Sequence, residues 1–282
     1  MLLSARKITV RYGELTALSD FSIDVAPGEI IALIGPNGSG KSTALHALAG
    51  LNRPSSGSTM IEGRTVGQWT RRELAKRLSF LPQAPLSPES MTVEQLARQG
   101  RFAHLGLFAG FSSRDQQAVS WALEQTGLGE LAERRLDALS GGERQRAWIA
   151  AALAQEARIL LLDEPTSFLD IGHQVEVLEL LCRLARERKV AVVLSIHDLN
   201  HAMAIADRIV LMTGGEIRYS GDAVALARSG LVEKAFQVEG EFILAPADGS
   251  PPHFQVRIAA RNASAAGCTR GSVVRPVRLG GG

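Results

Sequence analysis

One run, Gly35-Pro36-Asn37-Gly38-Ser39-Gly40-Lys41-Ser42, constrains this 282-residue chain more than any other. It fits G-x-x-x-x-G-K-[ST], in which glycines let backbone N–H groups wrap a phosphate. Such a loop works only where a buried strand delivers it and a helix leaves it. The apolar run at residues 29–34 predicts that strand, and a helix is expected from Ser42 to about Gly50. The helix start would add a positive dipole end. Lys41 is then expected to reach the β- and γ-phosphates of a nucleoside triphosphate, with the Ser42 hydroxyl on Mg²⁺. Alone, the loop implies no more than a bound nucleotide.

The same rhythm continues downstream. Aliphatic runs at residues 77–82, 158–162 and 190–196 read as further buried strands separated by helical patterns. Near-continuous apolar strands alternating with helices imply a parallel sheet covered on both faces. Residues 8–12 and 21–25 alternate polar with apolar instead, which predicts antiparallel strands along one side. Between about residues 85 and 155 helical spacing takes over, read as a helical subdomain inserted in an α/β core. Beyond Phe254 the pattern decays into Ala, Gly, Ser and Arg, and this tail is expected to be partly disordered.

Several residues carry chemistry. Asp163 and Glu164 end an apolar strand, where the reactive groups of open α/β sheets collect. Asp163 is expected to hold Mg²⁺ through water, and Glu164 to act as general base on the attacking water. Taken alone, the pair is also compatible with a solvated turn. Ser140-Gly141-Gly142-Glu143 has the S-x-x-E form of a capping box and opens a helix. Its glycines expose N–H groups that invite a phosphate. Because Lys41 already serves one helix start, this second one would serve a nucleotide held by another subunit. His197 follows a strand where a γ-phosphate sensor is needed, although a lone histidine at a strand end is commonly structural. Zinc is disfavoured at His197-Asp198-Leu199-Asn200-His201, which has Asp where H-E-x-x-H needs Glu. Gln83 is placed to offer its amide oxygen to Mg²⁺ or water, and Tyr12 to stack on adenine or to stand half buried. Trp148 reads as packing.

Bulk properties narrow the field. A formal charge of +2, from dispersed basic residues, argues against a dedicated nucleic-acid binder. Cys182 and Cys268 form neither a disulfide framework nor a zinc pattern, and Cys182 reads as filling an apolar helix face in a reducing compartment. No signal peptide is read at the start, and no apolar run is long enough to cross a bilayer. Any transport path would therefore need a separate membrane subunit.

With these motifs in this order, the chain resembles the ATP-hydrolysing subunits of ABC transporters over about residues 3–245. The resemblance implies a P-loop NTPase (RecA-like) α/β core with an antiparallel β subdomain and an inserted helical subdomain. It implies one domain over residues 1–245 and an extension over 246–282. Tyr12 would be the adenine-stacking aromatic. Gly35, Pro36, Asn37, Gly38, Ser39, Gly40, Lys41, Ser42 and Thr43 would form the Walker A loop that binds ATP, and Gln83 would be the Q-loop residue. Leu139 through Ser140, Gly141, Gly142 and Glu143 would be the signature, residues 159–163 the Walker B strand and Glu164 the catalytic carboxylate. Ser167-Phe168-Leu169-Asp170 would be the D-loop and His197 the switch histidine. Mg²⁺ would be held by Ser42, Gln83 and Asp163. Such subunits pair head to tail, each ATP lying between one Walker A loop and the other copy's signature. The wording at residues 100–108, 144–150, 169–177 and 197–202 is similar to importers of ferric siderophores, haem or cobalamin, and most similar to the siderophore branch. Glu143 departs from the Gln common there but keeps the cap. The implied partners are a second copy, membrane permease subunits and, indirectly, a substrate-binding protein. The implied place is the cytoplasmic face of the inner membrane. The alternatives are a haem or cobalamin importer of the same build, or a soluble ABC ATPase. The latter usually carries two cassettes, or long coiled-coil or basic insertions, and this chain has neither.

Overall fold

A computed structural model describes residues 1–83, 85, 90–105, 110–243 and 251–257. The chain opens with β1 (Leu3–Tyr12), β2 (Leu15–Val25) and β3 (Ile30–Ile34), then α1 (Lys41–Leu48), β4 (Ser56–Ile61), β5 (Arg64–Thr65), α2 (Arg71–Ala75) and β6 (Leu78–Leu81). Three helices follow, α3 (Val93–Gln99), α4 (Ser113–Gln125) and α5 (Gly141–Ala154). Strands then return with β7 (Ile159–Asp163), α6 (Ile171–Arg188), β8 (Ala191–Ser195), α7 (Leu199–Ile205), β9 (Arg208–Thr213) and β10 (Glu216–Gly221). Two short helices, α8 (Ala223–Arg228) and α9 (Leu231–Phe236), precede β11 (Gly240–Ile243) and β12 (His253–Val256).

The aliphatic runs form a six-stranded sheet in the order β10-β9-β3-β8-β7-β6, parallel except where β10 returns against β9. Strands buried on both faces send alternate side chains into two different cores. Ile30, Ala32 and Ile34 of β3 join one cluster with α3, α5 and α6, whereas Ile31 and Leu33 join the other. That second cluster lies between the sheet, α1 and an antiparallel sheet ordered β2-β1-β4-β5. The alternating segments at 8–12 and 21–25 are antiparallel partners there, with Ile8 opposite Phe21. Cys182 packs half-buried against the first cluster, as does Trp148.

Between β6 and β7 the described elements are helical. Thr92, Ser112 and Ser140 cap α3, α4 and α5 with complete capping boxes. Gly100, at the end of α3, has no room for a side chain, because a Cβ would sit 2.2 Å from the Ala151 carbonyl oxygen of α5. Next to it Arg101 is 1% exposed. Its Nε donates to Asp115 Oδ1 at 2.9 Å, and its Nη1 donates to Ala154 O at 2.7 Å and Glu156 Oε2 at 2.9 Å. One guanidinium thus ties the end of α3 to the start of α4 and the end of α5. Hydrogen bonds from Ser112, aided by Arg101, hold the Asp115 carboxyl down at about 2.

The segment expected to decay beyond Phe254 contains β12 up to Val256, paired with β11, and Phe254 is buried in the first cluster. Residues 258–282, including Cys268, lie outside the described residues.

Candidate functional site

The loop after β3 carries glycine where the backbone demands it. Gly35 has φ 147°, and a Cβ there would lie 2.2 Å from the Met212 carbonyl oxygen. Lys41, 6% exposed, starts α1 and turns its ammonium back under the loop. Its Nζ donates to Gly35 O at 2.8 Å and Pro36 O at 3.1 Å. Burial pushes the Lys41 amine below the ordinary lysine range, while Glu164 and Asp163 pull the other way. The Ser39 hydroxyl is buried and finds no partner among the described residues. A buried orphan hydroxyl in this glycine-rich loop is what a bound polyphosphate would satisfy.

A cleft of about 800 Å³ opens above this loop. Asn37, Gly38, Ser39, Gly40, Lys41, Ser42 and Thr43 line it, and Tyr12, Gln83, Glu164 and His197 close its sides. Gly35 and Pro36 sit beneath, supplying the carbonyls that hold Lys41. Tyr12 is half exposed at the rim, and its hydroxyl accepts from Asn52 Nδ2 at 2.7 Å. Ser42 and Gln83 line this cleft and Asp163 directly precedes Glu164; hydroxyl, amide and carboxylate oxygens are hard donors of the kind that Mg²⁺ takes.

Two adjacent carboxylates end β7 in different surroundings. Asp163, 3% exposed, accepts a 2.6 Å hydrogen bond from Ser195 Oγ at the end of β8. The same hydroxyl accepts from the Glu164 N–H at 2.9 Å, so Ser195 holds the Asp163 carboxylate and the Glu164 main chain. Glu164 sits in the left-handed region at φ 51°, which swings its side chain over the cleft. Its Oε1 accepts from His197 Nε2 at 2.5 Å. A carboxylate accepts only, so the imidazole carries its proton on Nε2. Glu164 Oε2 accepts from Gln83 Nε2 at 2.6 Å and from Ser167 Oγ at 3.0 Å. Gln83 therefore spends its amide nitrogen on Glu164, and its amide oxygen takes no part in that bond.

The remaining expected residues lie elsewhere. Ser140, Gly141 and Gly142 open α5 outside this cleft, with the Ser140 and Gly141 positions facing solvent. The Ser140 N–H donates to Glu143 Oε2 at 2.8 Å, which lowers the Glu143 carboxyl. Asp170 caps α6, accepting from the His173 N–H and from its ring Nδ1, each at 2.9 Å. Phe168 and Ile171, on either side of it, are exposed. Ser195 was not singled out from the sequence. The available signal was a hydroxyl ending an otherwise apolar strand beside the acidic pair.

Residues 18–167 match the family model for the ABC transporter. The chain is 39% identical to the iron(3+)-hydroxamate import ATP-binding protein FhuC of Bacillus subtilis (strain 168), over 88% of this chain and 93% of that one. A metal-chelate type ABC transporter in an inward-facing conformation superposes with a TM-score of 0.78 at 31% identity, over 92% of this chain and 98% of that one. A bacterial ABC transporter cassette solved as a dimer superposes with a TM-score of 0.71 at 28% identity, over 78% and 98%.

Proposed function

Since this chain belongs to the ABC transporter family, as one of the ATP-binding subunits that hydrolyse ATP to drive transport, we propose that it energises uptake of an iron–siderophore complex through a separate membrane permease. The observation that carries the ATPase reading is Glu164, held by His197, Gln83 and Ser167 over a lysine-floored loop. The iron cargo rests on the likeness to the hydroxamate importer's subunit and to a metal-chelate transporter.

Each residue then has a task. Tyr12 stacks on adenine, and residues 35–43 wrap the phosphates with Lys41 neutralising the β- and γ-oxygens. Ser42, Asp163 and the Gln83 oxygen hold Mg²⁺, Asp163 through water. When bound, that ion neutralises charge building on the transferred phosphoryl group. Glu164 polarises the attacking water. Its carboxylate offers about four acceptor positions, and three donors fill three of them, which leaves one for the water proton. His197 steadies Glu164 and senses the γ-phosphate.

We take residues 1–245 as the ATPase domain, with a helical subdomain at about 85–155 and an extension beyond 246. The signature at Ser140, Gly141 and Gly142 binds the ATP of a second copy, with Asp170 at the same junction. The exposed Phe168 and Ile171 beside it support a head-to-tail dimer, and the bacterial cassette was likewise solved as a dimer. Permease helices dock between core and helical subdomain near Gln83. The apolar stretch at residues 105–111 belongs to the same docking face, and residues 106–109 of it lie outside the described residues. No helix among the described residues is long and apolar enough to cross a membrane. The subunit sits peripherally on the cytoplasmic face, against the permease it drives. A substrate-binding protein completes the system.

The test is uptake of labelled ferric siderophores, haem and cobalamin by cells lacking this chain. Loss of ferric-siderophore uptake alone, restored by wild type, is expected. Loss of haem or cobalamin uptake instead would reassign the cargo, and no defect would reject import of all three.

A further inference from the structure

Asn200 lies in the first turn of α7, three residues past His197, yet its amide does not face the cleft. It pairs with the main chain of Phe254, far along the sequence. The Phe254 N–H donates to Asn200 Oδ1 at 2.7 Å, and Asn200 Nδ2 donates to Phe254 O at 3.3 Å. A primary amide presents a donor and an acceptor in one plane, as a peptide unit does, so Asn200 imitates a neighbouring strand for β12. The orientation is fixed chemically, because a peptide N–H must meet oxygen.

Phe254 is well suited as the fixed end of this pairing. Its side chain is 9% exposed within the main core, and its ring lies 4.7 Å from that of Phe242 on β11. Both main-chain polar groups of Phe254 point away from β11, towards α7. Arg257 N–H donates to Glu239 O at 2.8 Å and closes the end of the hairpin. On the other side, α7 is short, and its Leu199 and Ile205 pack only partly buried against the main cluster. It runs only from Leu199 to Ile205, capped by Asp198 and anchored through buried Ala202 and Met203. His197 sits between the end of β8 and that cap, so the placement of α7 sets the reach of the imidazole.

We propose that Asn200 and the backbone of β12 form a positioning clamp, which fixes α7 and thereby holds His197 against Glu164. This inference rests on the role given to His197 above. Residues 253–257 thus belong to the hydrolytic machinery, and Asn200 is a positioning residue that never touches nucleotide.

The test uses full-length protein carrying Asn200→Ala or Asn200→Asp. The first removes both hydrogen bonds. The second keeps the acceptor but turns a carboxylate oxygen towards the Phe254 carbonyl. ATPase kinetics and histidine ring NMR are read together. Asn200→Ala is expected to lower kcat about tenfold with KM for ATP nearly unchanged, because small misplacements of reacting groups cost rate rather than binding. The ring signals of His197, assigned with His197→Ala, shift, while those of His46 stay in place. Asn200→Asp shows the same changes. Unchanged kcat, or lost activity with the His197 ring signals unmoved, would overturn the clamp. A shifted His197 ring in Asn200→Ala, alongside normal turnover in His197→Ala, would instead overturn the reading of His197 itself.

Discussion

Ser195 shows how much a single hydroxyl can decide. It is fully buried, donates to Asp163 and accepts from the Glu164 N–H, so the two adjacent acidic residues share one hydroxyl. Ser195→Ala leaves two buried polar partners unmet, which costs about 1–3 kcal/mol of stability. Outer-shell partners of a metal site are commonly worth about 10–100-fold in affinity or activity. The expected outcome is therefore an ATPase needing about tenfold more Mg²⁺ for its half-maximal rate, read by titrating the metal at saturating ATP. An unchanged Mg²⁺ dependence would detach Ser195 from the metal's support. The residues that the sequence disclosed at this scale are those whose chemistry is written into local spacing, such as Lys41 after its glycines and Glu164 after its strand. Ser195 was hidden because its partners lie 31 and 32 residues away, on a neighbouring strand.

Among elements, the meeting of α3, α4 and α5 depends on one side chain, Arg101. Removing one partner of a buried ion pair destabilises by about 3–5 kcal/mol, because the other charge stays behind unpaired. Arg101→Met should lower stability by that order in urea melts. The acid limb gives an independent check. The Asp115 carboxyl is held at about 2, below its unfolded value of 3.8. The stabilisation it supplies is therefore fully present above about pH 4 and is lost as pH falls towards 2. Near-ultraviolet dichroism from Trp121 on α4 should follow this loss. In Arg101→Met the transition should move to higher pH, though only part of the way, because the Ser112 hydrogen bonds remain. The strands and the helical character of this region were legible from periodicity. The joint at Arg101 was not, since a lone arginine beside a glycine reads as surface. Nor was β12 legible, because its four residues bury a single side chain, Phe254, and its partners are Asn200 and β11, neither adjacent to it in the sequence.

At the scale of the whole molecule, the cleft around Lys41 and the start of α5 are separate, so hydrolysis in the proposed dimer needs two copies. Glu164→Gln should bind ATP and turn it over at least about 100-fold more slowly, the usual order for loss of a general base. With ATP and Mg²⁺ it should elute as a dimer in size-exclusion chromatography. Near-normal turnover would refute Glu164 as the base, and a monomer throughout would refute the pairing.

The solvent-facing position of Ser140 and Gly141 has a consequence for inheritance. If each catalytic centre borrows its second wall from another copy, a spoiled chain damages sound ones that join it. Where sound and spoiled chains are made in equal amounts and mix freely, random pairing leaves about one pair in four wholly sound. A defective allele whose chain still folds and pairs would then interfere with the sound one rather than be masked by it.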